Sequence, residues 1–308
     1  MEMNLRRFFS TAWERHRIYV LKELGVPKPW TTDPIFLDNF FCNVFRRLDK
    51  TSVWIEENAI KPNEDNPELW KTIFMCRYMS RISSLQALKN NDALIGNQQK
   101  AHDLLRHWVV NGAKIFTNAF IVNSHTSEGW SDKVTYMFRL LRDVKLRFDG
   151  DPDAAIKEIK TMREMFETLN GLPGVGNFMA YQYTVDFTYS QRYLARAEDK
   201  HEWTCLGLGA CRGLNRLLGN MPKRSGIKDD DQLALSREIL GAWRQEIADH
   251  MYDEVQKTSK HAGIEEEDDV INLYRSFEHV AMSDVEHELC EYDKYMRGGS
   301  KKRRYDGN

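Results

Sequence analysis

Three carboxylates and a histidine near the middle of the chain have the residue types of acid–base chemistry. They are Asp186, then Glu198, Asp199 and His201 in the run Arg196-Ala197-Glu198-Asp199-Lys200-His201. A carboxylate can face positive charge as it develops on a substrate, or take the proton of an attacking nucleophile. Each residue also has a plainer reading. Asp186 sits on an otherwise apolar helical stretch, so it is either paired and structural or functional. Glu198 and Asp199 fit a solvated charge run, and His201 alone fits a satisfied structural histidine.

A turn precedes these groups. Residues Leu172-Pro173-Gly174-Val175-Gly176, followed by Asn177, have the form of a helix-hairpin-helix turn. Glycine adopts the required backbone conformations cheaply, and proline pre-sets one dihedral. The helix that follows begins with N–H groups lacking partners within it, which suits a phosphate. Leu172, Gly174, Val175, Gly176 and Asn177 are therefore expected to meet DNA; the plainer reading is an ordinary helix–helix turn. Helix-hairpin-helix DNA glycosylases place an aspartate about twenty residues past the last hairpin glycine, and Asp199 with His201 resembles that setting loosely. A second glycine run, Leu206-Gly207-Leu208-Gly209-Ala210-Cys211-Arg212-Gly213, suggests close backbone approach to a ligand. No strand precedes it, which argues against a dinucleotide fingerprint.

The elements that must position these groups read as helices throughout, an all-α chain. Asp151 and Pro152 open a helix whose apolar face runs through Ala155, Ile156, Ile159, Met162, Phe166 and Leu169 to Gly171. Residues 177–188 continue as its partner. Asp33-Pro34 opens a helix with Phe36, Leu37, Phe40, Phe41, Val44, Phe45 and Leu48 on one stripe. Further helices are expected near 69–89, 98–122, 130–148, 232–258 and 269–296. Ser283-Asp284-Val285-Glu286 reads as a capping box, which gives Glu286 a structural reason. Glu291, Asp293, Lys294 and Arg297 are left for a surface or a site. Residues 1–296 are expected to form one helical unit and 297–308 a basic flexible tail.

Composition narrows the classes. With 308 residues and 42% hydrophobic content, a substantial core is within reach. The net charge of −2 advertises no nucleic-acid binder, although local basic segments are offset by acidic ones such as Glu265–Asp269. No apolar run is long enough for a membrane span, and residues 1–7 lack a secretory core. The five scattered cysteines fit reduced thiols of a cytoplasmic protein. No zinc-finger or iron–sulfur spacing occurs, so nothing demands a metal site, though the sequence leaves one open, and no cofactor is expected.

Four segments carry a wider resemblance. They are Trp13-Glu14-Arg15-His16-Arg17-Ile18-Tyr19, Pro29-Trp30-Thr31-Thr32-Asp33-Pro34-Ile35, Phe41-Cys42-Asn43-Val44-Phe45-Arg46-Arg47-Leu48-Asp49 and Val285-Glu286-His287-Glu288-Leu289-Cys290-Glu291-Tyr292-Asp293-Lys294-Tyr295. With the hairpin, Asp186 and the Gly-Leu-Gly-Ala run between them, they resemble the alpha-glutamyl/putrescinyl thymine pyrophosphorylases. That family is also met as the helical domain of 5-hydroxymethyluracil DNA kinases. Leu208 stands where the family pattern has proline.

The resemblance implies a DNA-glycosylase-like helical fold adapted to hypermodify phage thymidine and so protect viral DNA from restriction. A kinase acts first on 5-hydroxymethyluracil in duplex DNA. The family member then displaces the (pyro)phosphate with the amine of an amino acid or polyamine. On this reading Arg46, with Arg15 as second candidate, holds the phosphate. Asn43 is a further substrate-binding residue, Trp30 or Tyr19 stacks on the base, and Asp186, Asp199 or Glu198 takes the amine proton. No Gly-x-x-x-x-Gly-Lys-Ser/Thr loop occurs, so the kinase is expected to be a separate partner. Two other classes stay open, a glycosylase that excises a modified base and a non-catalytic DNA-binding module.

Overall fold

The computed structural model describes residues 3–117, 132–223 and 226–299. Within them the chain forms fourteen α-helices, short 3-10 and π turns, and no strand. The order is α1 (Leu5–Glu23), α2 (Pro34–Asp38), α3 (Lys50–Ile55), α4 (Leu69–Met79), α5 (Ile82–Asn90), α6 (Gln98–Val110) and α7 (Lys133–Arg147). Then follow α8 (Pro152–Glu158), α9 (Met162–Asn170), α10 (Asn177–Phe187), α11 (Leu208–Leu217), α12 (Asp229–Ala262), α13 (Asp268–Tyr274) and α14 (Met282–Met296).

The chain divides into two compact units. The first unites residues up to Asp49 with those from Lys200 onward; the second is Lys50–Asp199. The first unit's core is aromatic. Phe8, Trp13, Phe45, Trp243, Tyr274, Phe277 and Tyr292 are buried together, and His16 lies edge-on to Phe45, Tyr274 and Phe277. In the second unit α4, α7 and α10 bring Phe74, Tyr78, Tyr136, Tyr183 and Phe187 under cover.

Several boundaries differ from the sequence expectation. The single helix expected from Asp151 to Leu169 is two. Ile159 leaves α8 in an extended conformation, and Thr161 restarts the chain by accepting from the Glu164 N–H at 3.1 Å. The helix expected over 34–48 stops at Asp38. From Asn39 the backbone is extended, and Leu37 and Phe40 are exposed, so the apolar stripe is not one helical face. The 69–89 segment breaks at Ser80, whose φ is +46°. The expected 98–122 helix ends at Val110, and residues 118–122 lie outside the described residues, as do 130, 131 and most of the basic tail. The capping box also shifts. α14 starts at Met282, and the Asp284 carboxylate accepts from the Ala281 N–H at 2.9 Å.

Candidate functional site

The glycine run before α14 builds a scaffold rather than a ligand cradle. A Cβ on Gly213 would collide with the Leu289 carbonyl, and one on Gly209 with the Cys290 sulfur. A Cβ on Gly207 would stand 3.1 Å from Glu286 Oε1, whose carboxylate already accepts from the Gly207 N–H at 3.2 Å. The small residues let α11 lie directly against α14. This corrects the expectation of close approach to a ligand, and it reassigns Glu286 from a helix cap to the α11–α14 seam.

The opposite side of α14 gathers charge. Arg15 of α1 is buried and ion-paired with Glu288. The same guanidinium donates to the Cys42 carbonyl at 2.8 and 3.1 Å and to the Asn43 carbonyl at 2.9 Å. The Cys42 N–H donates to Glu291 at 3.1 Å, and the Asn43 N–H donates to Asp49 at 2.9 Å. The Asn43 side chain donates to the Leu48 carbonyl at 2.6 Å, and the His287 Nε2 lies 3.1 Å from the Asn43 carbonyl. Residues 42–49 are thus a strap that closes in a 3-10 turn at Arg46–Leu48 and is bound to α1 and α14. This is why they do not continue α2 as a helix.

Burial dominates the electrostatics. It raises Asp284 and Glu286 to about 7 and Asp49 to about 6, against the pull of Arg46 on all three. It raises Glu288 as well, although Arg15 pulls the other way. It lowers His287 to about 4, keeping the ring neutral. Glu288 Oε1 is buried with no hydrogen-bond partner among the described residues. Asp293, by contrast, is enclosed by Arg212, Arg216 and Arg297 at 2.8–3.0 Å and is structural.

Among the described residues one group of metal-ligating side chains converges: Cys42, Asp49 and His287, with ligand atoms within 4.8 Å of one another. A separate cavity of about 460 Å³ lies between α1, α2 and the end of α14. Its lining includes Thr11, Glu14, Arg17, Thr32, Asp33 and Tyr295. Glu14 pairs with Arg17, and Asp33 accepts from the Tyr295 hydroxyl at 2.7 Å.

The residues singled out from the sequence meet different fates. Arg15, Asn43 and Arg46 all fall in the strap and its surroundings, with Arg46 only 7% exposed. Arg15 is committed to Glu288 and two carbonyls, so its work is to hold the strap rather than to clamp a phosphate. Tyr19 packs on His16 with ring centroids 5.5 Å apart. Trp30 donates its indole N–H to the Val26 carbonyl at 2.6 Å and carries the Lys28 ammonium 5.0 Å above its ring.

The second unit holds the hairpin and the nominated carboxylates. Asp186 is fully buried and takes a two-pronged bond from Arg77, at 2.5 and 2.7 Å. Asp199 accepts from the first N–H groups of α9, Met162 at 2.7 Å and Arg163 at 3.0 Å. Both have the geometry of structural groups, a buried ion pair and a helix cap. Glu198 is exposed. His201, in the first unit, meets Arg244 at 2.9 Å.

Between α9 and α10 the turn is as compact as the sequence suggests. Gly174 has φ +75°, and the Val175 N–H donates to the Leu172 carbonyl at 3.0 Å. Leu172 and Val175 point inward as anchors, while Gly174, Gly176 and Asn177 face out. Gly176 precedes α10 without a side-chain cap, and a Cβ there would meet nothing within 4 Å.

The chain is similar to a 5-hmdU DNA kinase of Bacillus phage SP10, 27% identical over 191 residues. The similarity covers 58% of this chain and 30% of the phage protein, so the chain spans under a third of that curated relative. No solved structure matches. No described helix is long and apolar enough to cross a membrane. The family model for the helical domain of 5-hmdU DNA kinase matches residues 2–304, and the chain therefore belongs to that family.

Proposed function

We propose that this chain is a DNA-modifying transferase of phage thymidine hypermodification. It displaces the (pyro)phosphate of a 5-(pyro)phosphoryloxymethyl-deoxyuridine in duplex DNA with the amine of an amino acid or polyamine. The reading is carried by the family match over residues 2–304, to the helical domain of an enzyme named for 5-hmdU in DNA. A kinase supplies the phosphorylated base, and the modified genome then escapes host restriction. No metal-phosphate loop of the Gly-x-x-x-x-Gly-Lys-Ser/Thr kind occurs in the sequence.

The chemistry suits the first unit. The exocyclic methylene becomes cation-like as the phosphate departs, so the enzyme has to hold an anion and deliver a neutral amine. Arg46 is the cation for the leaving group, set among Asp49, Asp284 and Glu286. The cavity between α1 and α2 is lined by Glu14 and Asp33, which an entering ammonium group would share with Arg17 and the Tyr295 hydroxyl. Trp30 is the ring for the extruded base. The turn at 172–177 supports phosphate docking, in the manner of helix-hairpin-helix glycosylases. Gly176 has no internal packing reason for being glycine, and it opens a helix outward.

The test is mass spectrometry of nucleosides after incubating the chain with phosphorylated hydroxymethyluracil DNA and either glycine or putrescine. A heavier nucleoside that requires the amine supports transfer. Abasic sites formed without amine support excision, and unchanged DNA leaves only a binding module.

A further inference from the structure

We infer that Cys42, Asp49 and His287 form a binding site for a divalent transition metal of the zinc class. The inference goes beyond the transfer reaction and does not depend on it. Three donor chemistries meet here: a thiol, a carboxylate and an imidazole, with all ligand atoms within 4.8 Å of one another. Mixed sulfur, nitrogen and oxygen donors select zinc, cobalt or iron over magnesium or calcium, which take oxygen alone. A thiolate and a carboxylate together balance a divalent charge.

Between His287 and Asp49 the spacing fits a bridging ion better than a direct hydrogen bond. His287 Nε2 and an Asp49 oxygen are 3.9 Å apart, too far to share a proton directly. Two metal bonds of about 2.0–2.1 Å each can span that gap, and tetrahedral geometry asks the ligands to close by roughly half an ångström. The three residues come from different parts of the first unit, two on the strap and one on α14. All three are half-buried, which leaves a path for entry.

The surroundings already fix these ligands. Asp49 is oriented by the Asn43 N–H at 2.9 Å, and Cys42 by its own N–H on Glu291 at 3.1 Å. His287 Nε2 now lies 3.1 Å from the Asn43 carbonyl, and metal binding at that nitrogen exchanges this hydrogen bond for the ion while the proton moves to Nδ1. Arg15 clamps both strap carbonyls. Such outer contacts hold the first ligands in place before an ion arrives. Three protein ligands leave a fourth position open, the composition of a reactive rather than a purely structural site.

The experiment is a titration of the metal-stripped full chain with cobalt(II), read by absorption. The site predicts a near-ultraviolet thiolate-to-cobalt charge-transfer band and the visible bands of a four-coordinate ion, both displaced by zinc. Cys42→Ser should abolish the charge-transfer band, whereas Cys290→Ser should leave it intact. His287→Gln and Asp49→Asn should each weaken cobalt binding at least about tenfold, with circular dichroism unchanged. Absence of the band in the wild-type chain overturns the inference. So does a band that survives Cys42→Ser, since it would come from one of the other four cysteines.

Discussion

The two units differ in how they bury charge, and α14 of the first unit does it in both ways, since its Asp293 is saturated by three arginines. In the second, buried carboxylates are saturated. Asp186 meets both prongs of Arg77. Burial pushes Asp153 up, but hydrogen bonds from Arg192, Lys157 and Tyr193 more than offset it and hold it below the ordinary carboxylate range. In the first unit, α14 buries Glu286 and Glu288 with fewer partners, and burial wins over the nearby arginines. A saturated carboxylate holds a fold together. An under-partnered one keeps capacity for something that comes from outside. The contrast moves the chemistry away from the aspartates nominated by the sequence and toward the strap and α14.

The largest effect expected from this contrast is on folding of the second unit. Asp186→Asn leaves Arg77 buried without its charge partner, which should cost about 3–5 kcal/mol. Chemical denaturation of the variant measures it. A well-folded Asp186→Asn that has lost only turnover would return Asp186 to the active site.

In the first unit, Gly213→Val forces a side chain into the Leu289 carbonyl. Separation of α11 from α14 should destabilise that unit by about 3 kcal/mol or more. Gly176→Val has open space and an ordinary φ of −85°, so its melting temperature should match the wild type. Its affinity for plain and modified duplexes alike should fall, because phosphate contacts carry little sequence information. Equal thermal damage from both substitutions would erase the distinction between the two glycine turns.

A pH effect separates the units next. Burial lowers His16 to about 3, against the pull of the Leu273 carbonyl. The unfolded chain, with a histidine value near 6.5, takes up the proton first as pH falls. The stability held by neutral His16 is therefore intact above about pH 6.5 and erodes toward 3, with roughly 2 kcal/mol gone by about pH 5. The raised carboxylates of α14 act in the opposite sense, being destabilising as pH rises. The measurement is thus the difference in denaturation between wild type and His16→Phe across that range. A difference independent of pH would contradict a buried neutral imidazole.

Much of the fold was legible from periodicity, and α7, α10 and α12 fall close to where apolar spacing puts them. The departures share a cause. The stripe from Phe36 to Leu48 has helical spacing, yet Arg15 and α14 capture its backbone carbonyls and keep the strap out of an α-helix. α8 and α9 read as one helix because their apolar residues stay in register across the break. Asp199, 37 residues from Met162, supplies a cap that local spacing does not reveal. The glycine run was noticed for the right property, close approach, but its partner is α14. The site's defining pair, Arg15 and Glu288, lies 273 residues apart in sequence. Only the family resemblance placed both segments in view, and nothing local joined them.

The smallest expected effect belongs to the capping aspartate, and it gives the most direct test. Asp199→Asn retains an acceptor for α9 and should change stability by no more than about 1 kcal/mol. Arg46→Lys keeps the charge but loses the planar fork suited to phosphate. Single-turnover formation of the amine-bearing nucleoside, followed by mass spectrometry on phosphorylated hydroxymethyluracil DNA, compares the two at equal folded fraction. Arg46→Lys is expected to slow product formation at least about tenfold while Asp199→Asn stays within about twofold of wild type. Full activity in Arg46→Lys, with turnover lost in Asp199→Asn, would contradict this and put the chemistry back in the second unit.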